Sequence, residues 1–580
     1  MFLSNMNRIE KSSHLLVAAF DFGNTFSGYA FSFRDKPLEI HANNTWNNGS
    51  YLSLKTPTCL LLDPEEKYHS FGYEAEKKYT KLVERDEHQS WLFFRRFKML
   101  LHKNKKLNRR TTVKDITGKR RMFAIDIFSL SIRYLRDHFL SEVRNHYFDI
   151  EETDIQYVIT IPAIWDDNGK QFMRMAALQA DIDNERLTLA LEPEAASICC
   201  QKISVDSKDK NNMSGLQYIV IDIGGGTADI TAHRINANGT LTELYKASGG
   251  PWGGMYVDNN FLNFLEDLFG EQVMSCFKEE YLEDYLDMLR EFETNKRQVT
   301  YDDCDEQEQT YVSFKLPSAL REISEKENGK VLEELINSSS FSSDIFSKKD
   351  KIRVGVELAR KWFDGPINDI IHHVEDLLKQ PQVRQVSTLI LVGGMAESPY
   401  VQEKIRYAFS SKRLIIPTDA GLAVLKGAVV FGHDPMSISV RVMRYSYGIE
   451  MFQRFKRSTH KSSFRVKVDG KSYADNVFHV FVRAGDTVQF GQEITKMASP
   501  VNKESSLYPI YRSLSSDPKY TTEPDCEMIG ILSLRHYEQD DFKSKKVKLT
   551  MIFGNTELIV KSEEIGGVVK SSSTFNCLME

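Results

Sequence analysis

The residues best equipped for chemistry lie in Tyr218–Ile230, which reads Tyr-Ile-Val-Ile-Asp-Ile-Gly-Gly-Gly-Thr-Ala-Asp-Ile. Tyr218 to Ile221 is a short apolar run of the kind that forms a buried strand, and it delivers Asp222 to the mouth of a glycine-rich turn. Gly224, Gly225 and Gly226 let backbone N–H groups approach a ligand with no Cβ in the way. Successive N–H groups in such a turn make a nest for an anion, phosphate above all. A carboxylate beside it suits a hydrated Mg²⁺, which prefers oxygen ligands and keeps several waters. Thr227 adds a hydroxyl. Taken alone, the pattern also fits a glycine-rich hairpin turn. A second copy lies upstream: Leu15–Ser27 again runs an apolar strand into Asp21, then Gly23, Asn24, Thr25 and Ser27. Two strand–Asp–x–Gly–x–Thr loops predict two similar α/β halves facing one nucleotide, each clasping the phosphates from its own side.

The elements that must position these loops follow from periodicity. Leu15–Phe33 reads as a strand, a phosphate loop and a returning strand. Trp91–His102 is a helix candidate rich in aromatics. Phe123–Tyr147 carries a helical apolar stripe. Gln156–Ile161 is a strand stopped at Pro162-Ala-Ile-Trp165, and Gly169–Ala180 is a helix. Leu187–Cys200 places Glu192 at a strand end, with a helix beginning at Pro193, the favoured first-turn position. Ser248-Gly-Gly-Pro-Trp-Gly-Gly254 is a further glycine turn before a helix from Val257. Tyr281–Val299 and Val354–Lys379 are helical, and Thr388–Val392 is a buried strand that ends in Gly393-Gly394, at the start of another loop and helix. Gly421–Phe431 is a small-residue helix. From about Ser437 the helical period gives way to alternation, in Phe464–Val468, Val477–Val482 and Val547–Phe553, which predicts an antiparallel β domain. Met1–His14 is expected to be disordered, and Ser204–Gly215 and the Asn43–Gly49 turn cluster to be surface loops.

At 580 residues the chain is too long for one core and implies two to four domains. Its 75 basic and 81 acidic residues give a net charge of −6, so there is no general attraction to nucleic acid or anionic membrane. Lys103–Arg121 is locally basic, which fits either a solvated hairpin or a surface for an anionic partner. Without interleaved aromatics it is not a nucleic-acid motif. Seven scattered cysteines, with no Cys-x-x-Cys, fit a reducing compartment. No apolar run is long enough to span a membrane and no signal pattern opens the chain. The expected location is cytoplasmic, with the nucleus as an additional compartment.

In order, Asp-x-Gly-x-Thr, strand–Pro–Ala, Glu-Pro-x-Ala-Ala, Asp-x-Gly-Gly-Gly-Thr, Gly-Gly, Glu-x-x-Lys-Arg and Val-Gly-Gly resemble the ATPase domain of 70-kDa heat-shock chaperones, in the actin/hexokinase superfamily. Ile161-Pro-Ala-Ile-Trp, Gly250-Pro-Trp-Gly-Gly, Leu391-Val-Gly-Gly-Met-Ala-Glu-Ser-Pro, Leu425-Lys-Gly-Ala-Val-Val-Phe-Gly and Ile552-Phe-Gly-Asn-Thr-Glu resemble the divergent heat shock 70 kDa protein 12 subgroup, over about Leu15 to Ser562. The resemblance implies an α/β fold: a two-lobed actin-like ATPase of duplicated ribonuclease-H-like halves over residues 15–435, an antiparallel β domain over 436–570 for a peptide or protein partner, and a tail over 571–580. It implies ATP or ADP with Mg²⁺ as cofactors, and co-chaperones as further partners. Carried over by position, Asp21, Glu192 and Asp222 hold the hydrated Mg²⁺. Gly23, Asn24 and Thr25 bind phosphate from one side and Gly224, Gly225, Gly226 and Thr227 from the other, with Asp229 behind the second loop. Lys98 aligns with the lysine that positions the attacking water. Gly254, Glu293, Lys296, Arg297, Gly393, Gly394 and Met395 fall at the adenosine pocket. Pro162 and Lys170 fall at the positions that relay nucleotide state to the partner domain.

The chain departs from that pattern in places. Asn24 stands where the chaperones usually carry threonine, Met395 and Glu397 where they carry serine and arginine, and Lys170 where they carry arginine, which Lys does not replace where two hydrogen bonds are needed. Pro435-Met-Ser-Ile-Ser-Val is a poor match to their interdomain linker, and neither a helical lid nor an acidic tail is expected after the β domain. The first functional expectation is an ATP-binding, slowly hydrolysing chaperone-like protein. The second is a nucleotide-gated scaffold with negligible turnover. The third, a small-molecule kinase, lacks a convincing catalytic Asp and leaves the β domain unexplained.

Overall fold

The computed structural model describes residues 14–43, 46, 53–104, 107–147, 150–203, 214–300, 311–348, 350–468, 470–499, 505–535 and 546–565. The expected disordered N-terminus apart from His14, the tail, and most of the 204–215 and 43–49 loops fall outside them. Two sheets with the same central arrangement form the core. In the first, Leu16–Phe22 pairs in parallel with Ile155–Ile161, which pairs in parallel with Leu187–Leu191, and pairs antiparallel with Phe26–Phe33. In the second, Gln217–Ile223 stands in the same place: Thr388–Val392 and Arg413–Ile415 lie in parallel on one side and Ala228–Ile235 lies antiparallel on the other. Strands covered on both faces read as continuous apolar runs, and Leu16–Phe22 and Tyr218–Ile223 are buried throughout. The hairpin registers also correspond. Asp21 faces Gly28 and Asp222 faces Asp229, so each aspartate is the next-to-last residue of its strand.

Two helices, Glu192–Lys202 and Ala423–His433, each follow the last parallel strand of one sheet and pack against one another between the sheets. Close approach requires Gly427: a Cβ there would lie 1.7 Å from the Ala195 carbonyl oxygen on the opposing helix. The second sheet carries a large helical addition. Helices Gly254–Phe269, Glu271–Glu280, Leu282–Asn295 and Val356–Leu378 bury their apolar faces with the three-stranded sheet of Tyr311–Lys315, Ile345–Lys348 and Lys351–Gly355. Val354 therefore sits in a strand rather than opening the following helix.

The aromatic segment expected to be a helix over Trp91–His102 is not one. Leu92–Arg95 is a strand paired with Cys59–Leu62, Arg96 turns the chain at φ +55°, and only Leu100–Lys103 is α-helical. Pairing with a distant strand buries Leu92, Phe93 and Phe94 more completely than an isolated amphipathic turn would. Beyond Ser437 all the pairings among the remaining strands are antiparallel. One sheet runs Arg465–Val468, Lys471–Val482, Ser446–Arg454, Ser505–Ser513, Cys526–Arg535, and another Gln492–Ala498, Lys546–Phe553, Ile559–Ile565, around a common core. Two strands from this region, Ile438–Val442 and Thr487–Gln489, instead extend the second sheet beyond Leu241–Gly250. Among the described residues no helix is long and apolar enough to cross a membrane.

Candidate nucleotide site

The two glycine loops meet across a cleft. A Cβ on Gly225 would fall 2.1 Å from Thr25 Oγ1, and one on Gly226 would fall 2.4 Å from Met99 Sδ, so glycine at these positions lets one loop close on the other. Between them lies a cavity of about 480 Å³. Its wall contains Asp21, Gly23, Asn24 and Thr25 from one side and Asp222, Gly224, Gly225, Gly226 and Thr227 from the other, with Lys98, Pro162 and Glu192 beside the acidic end. Gly254, Glu293, Lys296, Arg297, Gly393, Gly394 and Met395 also lie on the wall, with Gly393 against Asp222, where a Cβ would fall 2.5 Å from Asp222 Oδ1. Of the residues that the resemblance assigns to the site or its relay, Asp229 and Lys170 are not on the wall.

Asp229 is buried behind the second loop, where its Oδ1 accepts from the Ile164 N–H at 3.0 Å and ties that loop to the Pro162–Trp165 turn. Lys170 lies farther along, where its Nζ donates to the Thr556 carbonyl at 2.9 Å in the β region. Lys98 is buried, donates to Glu192 Oε1 at 2.8 Å and stands 5.2 Å from the Trp165 ring centre. The Asn24 side chain is committed to the loops themselves: Oδ1 accepts from the Met99 N–H at 3.1 Å, and Nδ2 contacts Met255 Sδ on the opposite lobe.

Charge at the acidic end is unevenly compensated. Burial alone would raise Asp21, but the Lys55 ammonium and its hydrogen bond, with Lys98 and Thr160, hold it below the usual carboxylate range. Burial pushes Glu192 up to about 7 against the pull of Lys98, with the charges of Asp229 and Asp21 adding to the rise. Asp222 is raised well above its ordinary value by burial and then by Glu192, Asp229 and Asp21. Such crowding of carboxylates is relieved by a cation. Among the described residues no three His, Cys, Asp or Glu side chains converge to ligate an ion directly. Asp21, Glu192 and Asp222 present the oxygen donors that a Mg²⁺ prefers.

Elsewhere on the wall Lys296 donates to Glu293 at 2.5 Å and to Asp258 at 2.7 Å, and Arg96 reaches Asp258 from the first lobe at 2.6 Å. Arg297, half exposed, lies 3.4 Å from Glu293 and 3.9 Å from Glu397 across the opening. Tyr73, Phe363 and Met395 supply the apolar wall. Sequence reasoning missed Lys55, Arg96, Trp165 and Asp258. Only Trp165 had a local signal, since it closes the Pro-Ala-Ile-Trp turn already singled out.

Two lobes of matching topology, closing paired glycine loops over an acid-lined cavity, define a nucleotide-binding class of protein. Residues 140–314 match the family described as Hsp70 protein. The chain is 33% identical to heat shock 70 kDa protein 12B of Homo sapiens over 624 residues, covering 96% of this chain and 90% of that protein. It is 34% identical to heat shock 70 kDa protein 12A of Homo sapiens over 617 residues with the same coverage. It is also 24% identical to heat shock cognate 70 kDa protein 3 of Dictyostelium discoideum, over 74% of this chain and 63% of that protein. The chain belongs to the 70-kDa heat-shock protein family, in its divergent heat shock 70 kDa protein 12 subgroup.

Proposed function

We propose that this protein binds ATP in the cleft, hydrolyses it slowly with Mg²⁺, and couples nucleotide state to a peptide or protein partner held by the β region. In this reading residues 15–435 are an actin-like ATPase and 436–570 the partner-binding unit. The observation that carries it is the opposition of the two glycine loops across a cavity lined by Asp21, Glu192, Asp222 and Lys98. Phosphoryl transfer is catalysed mostly by positioning and charge neutralisation, and these groups are suited to both. The loop N–H groups are placed to cradle phosphate oxygens, and Asp21, Glu192 and Asp222 would hold a Mg²⁺. Such an ion would supply charge neutralisation at the phosphates. Lys98, fixed by Glu192 and the Trp165 ring, orients the attacking water. Glu293, Lys296 and Arg297 contact the adenosine.

Coupling to the β region follows two short routes. Trp165 lines the cavity, and directly after it Asp166 and Asp167 accept from Arg512 at 2.9 and 3.2 Å, while Asp167 also accepts from the Tyr447 hydroxyl at 2.9 Å. Glu192 lines the cavity, and two residues on Glu194 forms a buried fork with Arg441 at 2.7 and 2.6 Å, whose third nitrogen bonds the Gly554 carbonyl. A second reading, a nucleotide-gated scaffold without turnover, is favoured by one feature: the Asn24 carboxamide is spent on Met99 and Met255 rather than left for phosphate. Steady-state hydrolysis with ATP-binding calorimetry separates the two. Lys98→Ala is expected to retain ATP binding and lose turnover by about 10²-fold or more, the scale of a lost transition-state contact. A parent chain that binds ATP without turning it over supports the scaffold instead.

A further inference from the structure

Lys55 lies on the cavity wall at its phosphate end, outside every glycine motif. Its Nζ donates to Asp21 Oδ2 at 2.6 Å, and Thr160 holds Asp21 Oδ1 at 2.8 Å. The Asp21 side chain is 9% exposed and that of Lys55 21%, so the ammonium borders the cavity without being sealed from it. The segment that carries the lysine is stitched to the first glycine loop. Thr56 and Pro57 pair with Ser27 and Phe26, the Thr58 N–H donates to the Thr25 carbonyl at 2.8 Å, and Thr58 Oγ1 donates to the Gly23 carbonyl at 2.8 Å. The lysine stem packs over Gly28, where a Cβ would lie 3.1 Å from Lys55 Cγ. Whatever fixes the first loop against a phosphate therefore fixes Lys55 beside it.

The salt bridges at this end of the cavity are selective. Lys55 takes Asp21 and Lys98 takes Glu192, while among the described residues Asp222 has no such partner. A lysine ammonium is a compact point charge on a flexible four-carbon stem with three rotatable donors. It neutralises a carboxylate as a hydrated cation does, and it can turn to a phosphate oxygen while staying within the same cavity. We infer that Lys55 is a phosphate-contacting residue of the site, and that it gives nucleoside di- and triphosphate binding a component independent of divalent cation. The inference rests on the nucleotide reading of the cleft and adds to it a residue and a metal dependence. The competing role is a buttress that only holds Asp21 in place.

The test is calorimetry on the full chain, titrating ATP and, separately, adenosine, in Mg²⁺ and in EDTA, for the parent, Lys55→Ala and Lys55→Arg. The parent is expected to bind ATP in EDTA within about tenfold of its affinity in Mg²⁺, and Lys55→Ala to lose about tenfold or more of the EDTA affinity. Adenosine binding stays unchanged in both variants, which also reports a folded site, and Lys55→Arg keeps most of the ATP affinity. Equal ATP affinity of parent and Lys55→Ala in EDTA overturns the inference in favour of the buttress. Loss of adenosine binding together with ATP binding in Lys55→Ala overturns it in favour of a structural lysine. A parent that binds ATP only with Mg²⁺ overturns the metal independence, and one that binds no ATP under either condition overturns the nucleotide reading itself.

Discussion

Burial raises the carboxylates of the cleft, and an ammonium at bonding distance outweighs it at Asp21 but not at Glu192. Asp21, with Lys55 at 2.6 Å, is held low, whereas Asp222, without such a partner among the described residues, is held high. Away from the cleft, Glu243 is a cleaner case. It is buried, accepts from the Val442 N–H at 2.7 Å, and is pushed from 4.5 up to about 8 by burial and then by the charge of Glu194. Between these two values the folded chain holds a proton that the unfolded chain releases. The stabilising contribution is thus complete below pH 4.5 and is lost as pH rises through about 8. The parent is expected to lose melting temperature between pH 5 and pH 8, and Glu243→Gln to flatten that fall. A parallel decline in both proteins would contradict this assignment. At this scale the sequence was legible where residue type and turn coincide, as at Asp21 and Asp222. It was silent about Lys55 and Asp258, because the contacts that give them meaning come from other elements: Asp21 beside Lys55, and Arg96 and Lys296 on Asp258.

The elements that hold the loops are set by packing between paired helices and paired sheets. Among the described glycines Gly427 makes the tightest contact, with no room for a methyl group against the Ala195 carbonyl. Gly427→Ala forces the helices Glu192–Lys202 and Ala423–His433 apart and is expected to lower stability by about 1–3 kcal/mol, the usual cost of overpacking. Gly394→Ala serves as the control, since a Cβ there meets nothing within 4 Å. Chemical denaturation of both variants checks the difference. An unchanged midpoint for Gly427→Ala would mean that the two helices are not as closely apposed as described. Strong periodicity made the helices around residues 124–146, 282–295 and 356–378 legible within a few residues of their ends. The failure at Trp91–His102 has a physical cause. A run of aromatics suits helix and strand alike, and a partner strand at Cys59–Leu62, invisible to local pattern, decided between them.

Over the whole molecule, the β region is joined to the cleft rather than merely appended to it. Ile438–Val442 and Thr487–Gln489 lie in the second lobe's sheet, and Arg174 forks onto Glu557 with bonds as short as 2.6 Å. A composition shift near Ser437 marks where the helical period ends, but it carries no information about which sheet the next strand joins. The ordered motifs made the paired sheets and the glycine and carboxylate part of the cavity wall legible, but not wall residues such as Ser53, Lys55, Tyr73 and Phe363; nor was the junction between the regions legible, because it is built from pairs far apart in sequence such as Glu194 with Arg441. Everything proposed for that junction depends on a nucleotide in the cleft. The most direct measurement is a calorimetric titration of ATP into the full chain and into Gly225→Val, whose added side chain would intrude on Thr25 between the loops. The account predicts saturable one-to-one binding by the parent and at least about a tenfold loss in the variant, with cooperative unfolding retained. No binding by the parent, or equal binding by both, would contradict it.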